Sequence, residues 1–316
     1  MEKTFNAQIE MGNLMENNTK PTKNRIWFVL NVVFSCVYII WRIFFTVPLE
    51  YGMVSLIAGL SLLVIEILGM LEASIHYFNM YKIESHQVPD VPFESFPDVD
   101  IFIATYGEPR DLLYKTVNGC KYLEYPDKNK VHIYLCDDGK RKEIRELAHE
   151  MGVNYLDRKD NKGAKAGNLN NALKNSNSPL IVTLDADMIP MRKFLLRTVP
   201  YFVDFDIKNQ NLAEKNKKKL GFVQTPQSFY NPDLFQFNLF SEGRIPNEQD
   251  YFYKDIQITR NKTNSVIYGG SNTILSREGI EEIGGFFMDA ITEDFATGIL
   301  LQKKGYICYA TNEVWC

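Results

Sequence analysis

Leu180-Ile181-Val182-Thr183-Leu184, followed by Asp185-Ala186-Asp187, is a short β-rich run closed by two acids. It reads as a buried strand that carries its last residues to the rim of a sheet. The segments upstream alternate in kind. Asp100–Ala104 is a strand ending at Thr105, Arg110–Leu123 a helix, and Val131–Leu135 the next strand. Lys140–Met151 and Gly167–Asn175 then read as helices. Strands alternating with helices predict right-handed βαβ units and a mainly parallel sheet, an α/β fold. Ligands of such sheets bind beyond the carboxyl ends of the strands, which is where the acidic motifs fall.

The chain has 316 residues, 45% of them hydrophobic and 23% charged, the composition of a folded protein. Its long apolar runs nevertheless lie almost entirely before residue 80. Residues 1–24 form a polar tail. Ile26–Phe45 is apolar and aromatic with Arg42 as its one charge, and a second apolar stretch runs from Tyr51 to Leu71. As a helix each can cross ~30 Å of hydrocarbon, and a signal peptide has a shorter core. Two buried helices of a soluble protein are the alternative. The expected organisation is a cytoplasmic tail over 1–24, two transmembrane helices within 25–81 and a cytoplasmic domain over 82–316. Lys20, Lys23 and Arg25 precede the first span and Lys82 follows the second, whereas the turn between them carries only Glu50. Cations on one side predict a multi-pass protein of the inner cell membrane, in contact with lipid, with both ends in the cytoplasm. Arg42 is placed to snorkel to the outer interface. Glu66 asks for other protein or a wet cavity, because intramembrane carboxylates rarely face lipid.

Several function classes drop out. A net charge of -4 gives no basis for a nucleic-acid partner. The five cysteines are scattered with no CxxC pair, which fits a reduced compartment. His149-Glu150 begins like a zinc-binding HExxH, but Val153 stands where the second histidine belongs.

The chemistry gathers at the strand ends. On an extended chain residues two apart point the same way, so Asp185 and Asp187 can address one divalent ion. Mg²⁺ takes a few carboxylates, waters and phosphate oxygens, and it can neutralise a departing nucleoside diphosphate. An Asp-x-Asp triplet alone also closes ordinary turns; its place directly after a buried strand makes it a candidate site. Asp137-Asp138-Gly139 closes the preceding strand in the same way, although acids before glycine also make plain turns. Lys162-Gly163-Ala164-Lys165-Ala166-Gly167-Asn168 supplies cations, small residues and a helix start, and can bring Lys165 to phosphate oxygens. Thr292-Glu293-Asp294 precedes a helix over Phe295–Lys304. An acid there is favoured by the helix dipole alone; it is equally a candidate base toward an acceptor hydroxyl.

The order Asp137-Asp138-Gly139, Lys165–Asn168, Asp185–Asp187, Gln224-Thr225-Pro226 with Phe229-Tyr230-Asn231-Pro232-Asp233, and Thr292-Glu293-Asp294 resembles processive family-2 membrane glycosyltransferases. Bacterial cellulose synthase catalytic subunits are the nearest likeness. Pro97–Pro109 resembles that family's opening strand and uridine-binding loop, and the likeness covers residues 26–316. It implies a glycosyltransferase-A type nucleotide-sugar fold behind two spans, and inverting transfer of a hexose, UDP-glucose foremost, to a growing β-linked polysaccharide. By resemblance, Thr105, Tyr106, Glu108 and Asp137 or Asp138 hold the uridine. Lys165 sits near the diphosphate, and Asp185 and Asp187 hold it with Mg²⁺ or Mn²⁺. Asp294 is the general base, with Glu293 beside it.

Two departures bear on the acceptor. Ile267-Tyr268-Gly269-Gly270-Ser271 stands where the family usually has Phe-Phe-Cys-Gly-Ser. No Gln-x-x-Arg-Trp motif occurs before Trp315-Cys316, so the expectation is a truncated synthase, completed by a C-terminal segment or a partner subunit. A non-processive transferase acting on a lipid carrier, and a truncated chain that binds nucleotide sugar without turnover, are the competing readings.

Overall fold

The structure, a computed structural model, describes residues 25–81, 83–229, 231–241 and 244–316. Lys20, Lys23 and Lys82, on which the expected orientation rests, lie outside the described residues, as does Tyr230. By internal contacts the chain divides into two units, one ending at Ile83 and one beginning at Glu84.

The first unit is a helical hairpin, α1 (Arg25–Phe45) and α2 (Met53–Tyr81). Both helices are long and apolar enough to cross a membrane, with mean hydropathies of 2.0 and 2.4 over their apolar windows. Their large side chains are mostly exposed, as suits helices that meet an apolar solvent. The second helix runs ten residues past Leu71, where the apolar pattern ends, because nothing before Tyr81 breaks it. Glu66 finds its partners inside the hairpin. Arg42 Nε donates to Glu66 Oε2 at 2.8 Å and the Tyr38 hydroxyl to Oε1 at 3.0 Å. Arg42 is therefore turned across the helix pair, which corrects the snorkelling expectation.

In the second unit, seven strands of the described residues form one sheet, in the order β3-β2-β1-β4-β6-β5-β7. They are β1 (Val99–Thr105), β2 (Val131–Asp137), β3 (Asn154–Leu156), β4 (Leu180–Asp185), β5 (Leu220–Gln224), β6 (Thr273–Ser276) and β7 (Ile307–Ala310). Among the described strands β6 alone runs against the rest, pairing antiparallel with both β4 and β5. The sheet is thus mainly parallel, as the strand-helix alternation predicts.

Along β1 successive side chains enter opposite faces, Ile101 and Ile103 one and Phe102 the other. The first face is covered by α3 (Arg110–Lys121), α4 (Lys142–Met151) and α6 (Phe194–Asn209). The second is covered by α5 (Ala164–Lys174), α8 (Arg277–Glu282) and α9 (Glu293–Lys303); a short α7 (Leu234–Asn238) lies before β6 in sequence. Three layers result, and the strands, buried on both sides, read as apolar runs for that reason.

Far from the acidic rim, Asp100 and Arg277 are buried together. Arg277 Nη2 reaches Asp100 Oδ2 at 2.8 Å and Ser176 Oγ at 2.7 Å, while Ser178 donates to Asp100 through its backbone N–H at 2.9 Å and its hydroxyl at 2.7 Å. The pair fastens the start of α8 to the turn before β4.

The parallel register brings the functional ends together. Thr105 of β1 stands opposite Asp137 of β2, and Ala104 opposite Asp185 of β4. After β1 the chain crosses first to β2 and β3, then returns to β4 on the other side of β1. This change of direction leaves a crevice beyond β1 and β4, the usual ligand position in such sheets.

Candidate active site

One side of the crevice is the loop after β1. Thr105 Oγ1 donates to Glu108 Oε2 at 2.6 Å, and the backbone N–H groups of Tyr106 and Gly107 donate to the same oxygen at 2.8 and 3.1 Å. Burial alone would raise the Glu108 carboxyl. These donors outweigh it and hold the group below the usual carboxylate range.

Asp137 is fully buried and serves as the hub of this side. Its Oδ1 accepts from Gly139 N at 3.0 Å and from Arg141 Nε and Nη2 at 3.1 and 3.0 Å. Its Oδ2 accepts from Arg141 N at 2.7 Å and the Tyr155 hydroxyl at 3.1 Å. Arg141 also donates to Thr105 Oγ1 at 2.7 Å and to the Glu108 carbonyl at 2.5 Å, tying the β1 loop to β2. Gly139 is needed here because a Cβ at that position would lie 2.3 Å from the Tyr106 carbonyl.

Asp138 turns the other way. Both its oxygens meet Arg158, at 2.6 Å each, and Arg158 also donates to the carbonyls of Lys162 and Ala164 at 2.6 and 2.8 Å. This clamp sets the entry of α5. The helix starts three residues earlier than the sequence pattern suggests, so Lys165 lies on its first turn rather than in a loop. Asn168 then secures α5 to β2 by donating to the Cys136 carbonyl at 2.7 Å.

Lys165 Nζ is ion-paired with Asp185 Oδ1. Asp185 ends β4, half-buried, and its backbone N–H donates to Ser271 Oγ at 2.9 Å. Ala186 is buried and Asp187 exposed, so both acids of the triplet face away from the core. Burial, with Asp185 and Asp187 nearby, pushes the Cys316 thiol up, so the last residues pack close to this strand end.

Asp294 closes the arrangement from α9. It is the second residue of that helix, and its Oδ1 accepts from the N–H of Phe295 at 2.7 Å. A Cβ at Gly270 would lie 2.9 Å from Asp294 Oδ2 and 3.4 Å from Lys165 Nζ, so both groups converge on that glycine. Gly270 has φ +74°, a conformation that side chains disfavour. Its loop is held by the buried Gln224, which accepts from Gly269 N at 2.8 Å and donates to the Ser271 carbonyl at 2.9 Å. Tyr253 stands by with its hydroxyl pushed up to about 12, first by burial and then by the Asp294 and Asp185 charges. Glu293 opens α9, half-buried.

Asp185 and Asp187 offer hard carboxylate oxygens, the donor type that Mg²⁺ or Mn²⁺ takes together with water and phosphate oxygens, and Asp187 is exposed. Among the described residues no group of three or more His, Cys, Asp or Glu converges, so most of the coordination sphere would fall to those ligands. Arg141, Arg158, Gln224 and Gly270 are supports that sequence reasoning did not single out for a role. The one readable signal among them is the spacing of Asp137 and Arg141, four apart across a turn into a helix.

A profile of glycosyl transferase family 2 matches residues 100–284. The cellulose synthase catalytic subunit (UDP-forming) of Xanthomonas axonopodis pv. citri is 35% identical over 280 residues, 88% of this chain and 36% of that protein. The cellulose synthase 1 catalytic subunit (UDP-forming) of Komagataeibacter xylinus is 36% identical over 282 residues, with the same two coverages, 88% and 36%. The chain therefore spans little more than a third of the length of these relatives. A mannosyltransferase from Pyrobaculum calidifontis, solved with GDP-Man and Mn²⁺, shares the fold with a TM-score of 0.54 at 19% identity, over 78% of this chain and 62% of that one.

Proposed function

Because the chain belongs to glycosyl transferase family 2, we propose that it transfers a hexose with inversion from a UDP-sugar, UDP-glucose foremost, to a growing β-linked polysaccharide at the membrane. The observation that carries this reading is the convergence of Lys165 and Asp294 on Gly270, with Asp185 at the end of β4 ion-paired to Lys165. The relatives named for UDP-forming cellulose synthesis supply the donor and polymer class.

In this reading Thr105, Tyr106, Glu108 and the strand-end acids Asp137 and Asp138 shape the uridine side. Asp137 and Asp138 act mainly by setting loops, since Arg141 and Arg158 already engage their carboxylates. Lys165 meets the diphosphate. Asp185 and Asp187 would hold a divalent cation, which would supply positive charge to a departing diphosphate. Asp294 takes the proton of the acceptor hydroxyl, with Glu293 beside it, a role open to a carboxylate within about 2.6–3.2 Å of that hydroxyl. The hairpin of α1 and α2 spans the inner membrane, and the sheet domain lies on the cytoplasmic side. Completion of the acceptor site by further protein is part of the proposal.

Calorimetric titration of UDP into the chain tests the donor side. Affinity should depend on Mg²⁺ or Mn²⁺, and the double change Asp185→Asn with Asp187→Asn should remove that dependence while the fold persists. Equal UDP affinity in EDTA would falsify the assignment.

A further inference from the structure

We infer that Lys165 acts as an internal stand-in for the divalent cation, closing Asp185 to free metal until a diphosphate draws the ammonium away. The inference rests on the function proposed above and adds an order of events to it. Its basis is the ion pair of Lys165 Nζ with Asp185 Oδ1, formed across 20 residues of sequence inside the crevice.

The pair is no loose surface contact. The Lys165 side chain is 29% exposed and that of Asp185 37%, so both charges are partly withdrawn from water. A cation arriving at Asp185 must displace this ammonium or bind beside it against like-charge repulsion. Asp187, exposed and two residues on, is left as the accessible half of the donor pair, and one exposed carboxylate holds a hydrated dication weakly.

A diphosphate changes the balance because it offers Lys165 other oxygens. A lysine ammonium is a point charge on a flexible stem, able to change partners without demanding a fixed geometry. Lys165 lies on the first turn of α5, beside Gly270, where no side chain stands between its head and the loop. When it turns to the phosphates, Asp185 Oδ1 is released. Metal and nucleotide then bind with positive coupling, and by linkage each improves the affinity for the other by the same factor. The site thus avoids holding a bare metal ion and favours a metal-nucleotide pair.

The test uses the full chain in detergent and follows free Mn²⁺ by its magnetic resonance signal, with and without UDP. Lys165→Met should tighten binding of Mn²⁺ alone by about tenfold, the scale of one competing ion pair in a partly shielded site. It should also shrink the factor by which UDP improves Mn²⁺ binding. Lys165→Gln gives a second neutral variant should the methionine lower stability. Lys165→Arg keeps a cation beside Asp185 and should stay within about twofold of the parent for Mn²⁺ alone. If neither neutral variant, melting as the parent does, binds Mn²⁺ alone more tightly, the inference is overturned and the proposed function stands. If Asp185→Asn leaves UDP-dependent Mn²⁺ binding intact, the metal pair itself is wrong and the inference falls with it.

Discussion

A Cβ at Gly270 would lie 2.9 Å from Asp294 Oδ2, so the loop between Tyr268 and Ser271 can approach α9 this closely only without a side chain there. Behind that loop Gln224 uses both its oxygen and its nitrogen to fix backbone groups on either side of Gly270. The Asp294 carboxylate is held in turn by its own helix start, where its Oδ1 accepts from the N–H of Phe295 at 2.7 Å. Asp294→Asn keeps the size and the helix start but removes the proton acceptor. In the chain completed at its acceptor site by further protein, it is expected to lower UDP release from UDP-glucose by about 10²–10⁴-fold. UDP affinity should stay within about twofold, since the donor contacts proposed here lie on other strands. A variant that turns over at the parent rate would remove Asp294 from the chemistry.

β6 is short and reversed, yet it joins the two halves of the sheet, and α8 follows it directly. Arg277, the first residue of α8, pairs with the fully buried Asp100 of β1. Removing one partner of such a pair strands the other charge in the interior. Arg277→Ala should therefore cost about 3–5 kcal/mol in urea unfolding. A loss below about 1 kcal/mol would mean that water reaches Asp100. The elements themselves were unequally legible. β1, β2 and β4 could be read because they are buried on both faces, which leaves apolar runs with acids at the end. The start of α5 could not, since Gly163 marks a loop and hides the turn from Ala164 to Ala166 until Arg158 is seen to gather the carbonyls of Lys162 and Ala164. β6 was missed because Thr273–Ser276 is only four residues and sits beside a polar loop. No motif singles out Arg141 or Arg158, and only the fold reveals that they are turned inward on Asp137 and Asp138.

The two units handle their apolar side chains differently. In the hairpin large apolar side chains stay exposed, and the Arg42–Glu66 pair keeps its polar atoms satisfied between the helices. In the sheet domain the apolar side chains are gathered into two faces of one core. With Lys20, Lys23, Arg25 and Lys82 flanking the apolar runs, residues 84–316 should resist protease added outside intact cells and be cut after lysis. Cleavage near Asp185 from outside would reverse the orientation. The insertion of β6 between β4 and β5 also has a consequence in time. A ribosome adding roughly 5–20 residues per second needs roughly 4–18 s to pass from Asp185 to Thr273. Through that interval β4 is finished but has β1 on one side and no neighbour on the other. An apolar strand with a bare edge recruits strands from other chains.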